Sequence, residues 1–78
     1  MNFISERRWI MPRYFILFRP KTSKDIITQT NVEYVSEHDA RLAFTKAHPE
    51  TVIVDIRKGV KFTTSEISIK KLSLKYAQ

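Results

Sequence analysis

The chain has 78 residues, of which 42% are apolar and 12% aromatic, enough for a packed core and too many for a disordered polymer. It has no cysteine, which excludes disulfides, thiol chemistry and most zinc sites. Its single glycine excludes dinucleotide and P-loop cradles, which need several. This length predicts one α+β domain over 12–78, preceded by an N-terminal arm over 1–11.

Net charge is +6, and it is unevenly spread. Residues 40–78 carry Arg41, Lys46, Arg57, Lys58, Lys61, Lys70, Lys71 and Lys75 against Glu50, Asp55 and Glu66. Such an excess steers anionic partners: nucleic acid, a nucleoprotein or an acidic protein face. The start carries Glu6, Arg7 and Arg8 with no signal-peptide apolar run after them. No stretch approaches the roughly 20 apolar residues of a membrane span. With the missing cysteines, these features predict a cytoplasmic protein with no membrane partner.

In the arm, Phe3, Ile4, Trp9, Ile10 and Met11 are apolar without a period, and Trp9 is expected to pack down. Met11 is also a candidate internal start. Pro12 and Pro20 bracket Arg13-Tyr14-Phe15-Ile16-Leu17-Phe18-Arg19, a strand apolar on both faces and so expected at the centre of a sheet. Residues 20–25 read as a turn, and Ile26 to Val35 as its antiparallel partner. Ser36 opens a helix as its N-cap, with Asp39 reaching back as the second half of a capping box. Val35 and Ala40 are placed for a hydrophobic staple. Ala40, Ala43, Phe44 and Ala47 form a narrow apolar stripe, and Pro49 ends the helix near His48.

Val52 to Arg57 reads as the next strand, with Ile53, Asp55 and Arg57 on one face. Lys58-Gly59 signals a tight turn into a fourth strand over Val60 to Thr63. In the tail, Ile67 and Ile69, then Leu72, Leu74 and Tyr76, alternate with polar residues. A bulged strand or two short strands would account for the slip in phase at Lys70-Lys71. A helix from Ser65 is the alternative, but the serines and the alternation favour β. The expectation is therefore an antiparallel sheet of four to five strands with one helix packed on it, in the order β-β-α-β-β.

Catalytic chemistry is not expected. His38 and His48 stand ten apart on one helix, roughly three turns, too far for one metal. Ser36, His38 and Asp39 are hydrolase residue types, but neighbours at a helix start cannot form a triad, and capping accounts for Ser36 and Asp39. Asp55 on a solvent-facing side of its strand pairs with a cross-strand lysine. No catalytic residue, metal site or cofactor is predicted.

Binding surfaces are expected instead. Arg57, Lys58 and Lys61 flank the last hairpin turn, and Lys70, Lys71 and Lys75 follow on the tail. Together they form a basic face able to track phosphates, or else lysines that guard a sheet edge against aggregation. Tyr14, Phe15 and Phe18 between Arg13 and Arg19 suit base stacking or, more simply, the core. The outer side of the helix offers Arg41, Leu42 and Lys46 as a second contact surface.

The run from Ile26-Ile27-Thr28 through Tyr34-Val35-Ser36-Glu37-His38-Asp39-Ala40-Arg41 to Val52-Ile53-Val54-Asp55-Ile56-Arg57 is strand, capped helix, strand. It resembles small sheet-wrapped-helix proteins of phages and mobile elements, among them certain type I-F anti-CRISPR proteins. The likeness is one of element order over residues 13–63 and extends to some ribosomal and conjugation-associated proteins. The resemblance implies a non-enzymatic phage or mobile-element protein, working in the host cytoplasm. Such a protein binds and inhibits a host nucleoprotein machine such as a CRISPR surveillance complex. The alternative is a DNA- or RNA-binding accessory protein using the basic face. Many inhibitors that fill a DNA channel are acidic, so a basic one would use acidic or mixed protein surfaces or engage nucleic acid as well.

Overall fold

The structure, a computed structural model, describes residues 11–76, the side chain of Lys75 excepted. Residues 1–10 of the arm, with the expected burial of Trp9, lie outside the described residues. The chain runs β1 (Arg13–Pro20), β2 (Thr28–Glu33), α1 (Glu37–Ala47), β3 (Thr51–Lys58) and α2 (Thr64–Tyr76). Among the described residues the sheet has three strands, ordered β2-β1-β3, with β1 antiparallel to both neighbours. β2 and β3 are thus parallel to each other, and α1 carries the chain across β1 between them, a split β-α-β unit.

β1 is central, as its two apolar faces predict. Tyr14 and Ile16 meet Ala40 and Phe44 of α1 and Ile56 of β3 on one face, with Phe18, Val32, Tyr34 and Ile53 packed around them. Each large side chain buried here contributes roughly 1.5–3 kcal/mol. Ala40, fully buried, and half-buried Ala43 let α1 lie close to the sheet. Ser36 Oγ accepts from Asp39 N–H at 3.2 Å, and His48 N–H donates to Phe44 O at 2.9 Å before Pro49 ends the helix. The expected return bond from Asp39 is not among the hydrogen bonds of the described residues. Val35 is 71% exposed and does not staple the helix start.

A bulge between Leu17 and Phe18 changes the reading of β3. Ile16 pairs with Ile56, but Phe18 pairs with Ile53. Ile53 and Ile56 therefore both face α1, while Asp55 and Arg57 face the other way, and the expected shared face of Ile53, Asp55 and Arg57 is corrected. One extra residue in a strand breaks the two-residue alternation on which that expectation rested.

The larger correction concerns residues 60–76. Among the described residues the order is β-β-α-β-α, with two helices on a three-stranded sheet, and neither the fourth strand nor the tail strand forms. Phe62 is buried, and its backbone is satisfied by a side chain rather than by a strand. Gln29 Oε1 accepts from Phe62 N–H at 2.8 Å, and Gln29 Nε2 donates to Phe62 O at 3.3 Å. One side-chain amide thus takes the place of a strand partner. Thr63 then opens α2 with a reciprocal capping box. Its Oγ1 accepts from Glu66 N–H at 3.1 Å, and Glu66 Oε1 accepts from Thr63 N–H at 2.8 Å. Gly59, at φ 81°, makes the turn that precedes it. No helix among the described residues is long and apolar enough to cross a membrane.

Candidate binding surface

α2 lies on the sheet face opposite α1 and is tied there by charge. Arg57 grips Glu66 with both guanidinium ends, at 2.5 and 3.2 Å, and its cationic centre stands 4.2 Å above the Phe62 ring. One turn on, Lys70 Nζ meets Asp55 Oδ2 at 2.9 Å. Beneath them Leu17 is fully buried, flanked in register by Gln29 and Asp55. The Arg57 fork, with the Thr63 N–H, holds the Glu66 carboxyl down at about 2, against an ordinary 4.5. The same contact raises the pKa of Arg57. Burial pushes Asp55 up, but the Lys70 ammonium and the Ile56 N–H outweigh it and leave its pKa lowered.

These ties reorganise the basic face expected from sequence. Arg57 and Lys70 are occupied by internal carboxylates, and Arg41 pairs with Glu37 along α1 at 3.0 Å. Lys58 and Lys61 are exposed on either side of Gly59, at the end of the sheet where β1 begins. Lys71 is exposed near the opposite end, where it lines an open cleft of about 420 Å³ with Ser68, Leu72 and Asp25 of the β1–β2 connection. Leu42 and Lys46 are exposed on the outer side of α1. Lys75 belongs to α2, its side chain outside the description. Because no hairpin follows β3, the expected cluster is divided between two ends of the molecule. The aromatics go mainly to the core: Tyr14 is buried, Phe18 stands 4.9 Å from Phe44, and Phe15 is half-buried on the α2 side.

A different cluster forms at the far end. Lys21 N–H donates to Glu50 O at 3.1 Å, which joins the β1–β2 turn to the entry of β3 and the C-terminus of α1. This end gathers Lys21 and Lys24 from the turn, Lys46 from α1 and Lys71 from α2, all exposed. Arg19 turns onto the Pro20 and Ser23 carbonyls beside them. The local carboxylates are Asp25 and Glu50, and Glu50 lies 3.9 Å from His48. Lys21 and Lys24 were not singled out from sequence. The signal that would have found them is topological: in a β-β-α-β unit the first turn and the helix C-terminus share one end of the sheet.

Among the described residues no three His, Cys, Asp or Glu side chains are grouped to hold a metal ion. Ser36 Oγ is engaged in capping by the Asp39 N–H, and the His48 ring lies tilted at 4.6 Å from Phe44. Compared with protein-family models, curated proteins and solved structures, the chain matches none.

Proposed function

We propose that this chain is a non-catalytic binding domain whose lysine-rich end engages the phosphate backbone of nucleic acid. The observation that carries this reading is that four exposed lysines from three separate elements, Lys21, Lys24, Lys46 and Lys71, belong to the same end of the sheet. Lysines on mobile stems make sequence-independent phosphate contacts, each of which releases counterions. Affinity for duplex DNA, measured by fluorescence anisotropy, should fall with salt at a log–log slope of about −3 to −4 if these four lysines take phosphates. Binding that is absent at low salt, or indifferent to salt, would overturn the reading.

A second reading is inhibition of a host nucleoprotein machine in the manner of an anti-CRISPR protein. Exposed apolar side chains on both helices, Leu42 on α1 and Leu72 on α2, favour it, because phosphate contact makes no use of them. Its test is co-purification of a nucleoprotein complex with the tagged chain, lost on Leu42→Ser or Leu72→Ser.

A further inference from the structure

α2 is apolar on two sides, and the sheet uses only one. Ile67, Lys70 and Leu74 are half-buried toward the sheet. Ile69, Leu72 and Tyr76 have the same helical spacing but point the other way, and they remain 64%, 55% and 74% exposed. At 100° per residue these three lie within about 60° of one another, a continuous seam some two turns long. Beside it runs the cleft lined by Leu72, Ser68, Lys71 and Asp25, and next to Asp25 is Ile26, also exposed. The seam with its cleft is an apolar track with a wall, a shape that takes a helix in a groove.

Charge selects the occupant. The carboxylates nearest to α2 on the sheet side are already used, Glu66 by Arg57 and Asp55 by Lys70. The cleft is lined by Lys71 and Asp25, and Lys24, next to Asp25 in the chain, is exposed, on a chain of net charge +6. A second copy of this chain would bring lysines against lysines and be repelled. A lipid surface is flat and would leave the cleft unfilled. We propose that the α2 seam docks an acidic amphipathic helix of a partner protein, its apolar side chains on Ile69, Leu72 and Tyr76 and its carboxylates toward Lys71 and Lys24. This site shares Lys71 and Lys24 with the lysine-rich end read above as a phosphate binder, but its apolar seam has no part in that reading, so the seam variants separate the two.

The test uses the full chain as bait for a displayed library of helical peptides with one face randomised. Recovered binders are then titrated by fluorescence anisotropy. The proposal expects apolar residues at i, i+3 or i+4 and i+7, flanked by Glu or Asp. It also expects at least tenfold weaker binding to Ile69→Ser/Leu72→Ser and several-fold weaker binding to Lys71→Glu. Circular dichroism should show that these surface variants keep the fold, and their salt-dependent DNA binding should survive at Ile69→Ser/Leu72→Ser. An empty selection, binders without acidic residues, or binders indifferent to the seam variants would overturn it. So would concentration-dependent dimerisation abolished by Leu72→Ser, which would make a second copy the occupant. Adsorption to phosphatidylcholine–phosphatidylglycerol vesicles abolished by the same variant would make it a lipid surface.

Discussion

The two helices sit on opposite faces of one sheet and are held there by different physics. α1 is fixed by apolar burial: Phe44 and Ala40 press on Tyr14, Ile16 and Ile56, with Ser36 capping the start. α2 rests on the buried Phe62 that precedes it, on half-buried Ile67 and Leu74, and on two ion pairs partly open to water. Solvent-screened pairs of this kind contribute little, well below the burial of one large side chain. The comparison teaches that α1 belongs to the cooperative core, while α2 is a second layer able to loosen without unfolding the sheet.

The sharpest way to break that comparison is in the core. Phe44→Ala should cost about 3–5 kcal/mol, a large part of the stability of so small a domain. A thermal melt followed by circular dichroism should show the whole domain destabilised. Phe62→Ala should cost less, about 3 kcal/mol, and its effect should be local. Hydrogen exchange should rise along Thr64–Tyr76 while the β1 amides stay protected; equal loss in both would make the two layers one unit.

Acid separates the layers next. Glu66 has its folded pKa depressed to about 2 from an ordinary 4.5. Its contribution is therefore complete above pH 4.5 and is lost as the pH falls toward about 2. Asp55, also lowered, acts in the same sense. Exchange of the α2 amides, measured against those of α1 across this window, should accelerate more, and Glu66→Gln should abolish much of the difference. Smaller effects follow at the caps. Ser36→Ala and Thr63→Ala should each cost about 1 kcal/mol, the first in the global melt and the second chiefly in α2 exchange. Lys70→Ala should be smallest, about 0.5 kcal/mol.

The legibility of the sequence divides along the same line. The order of elements over residues 12–58 was readable because bracketing prolines, aromatic and β-branched runs and an N-cap all agree with the fold, while the bulge that turns Asp55 and Arg57 away from Ile53 was not. Residues 59–76 were not, because Ile67, Ile69, Leu72, Leu74 and Tyr76 serve two apolar sides of one helix and so imitate the alternation of a strand. Thr63-Thr64-Ser65-Glu66 is a complete capping box, and it was the local signal that opposed this reading. The role of Gln29 in satisfying the Phe62 backbone is long-range and has no local signature. The basic face was likewise only half legible: composition reveals the lysines, but Arg57 and Lys70 vanish into ion pairs that depend on where α2 lies. Lys21 and Lys24 gain their place from tertiary topology.

Two charge reversals tested side by side address the functional claim most directly, one at each end of the sheet. Lys21→Glu/Lys24→Glu and Lys58→Glu/Lys61→Glu change charge equally, and all four lysines are exposed. Duplex DNA affinity should fall at least tenfold in the first variant, with the salt slope flatter by about 2, and stay close to that of the unaltered chain in the second. Equal losses in both, or a loss confined to the second, would contradict the assignment of phosphate binding to the end built from the β1–β2 turn, α1 and α2.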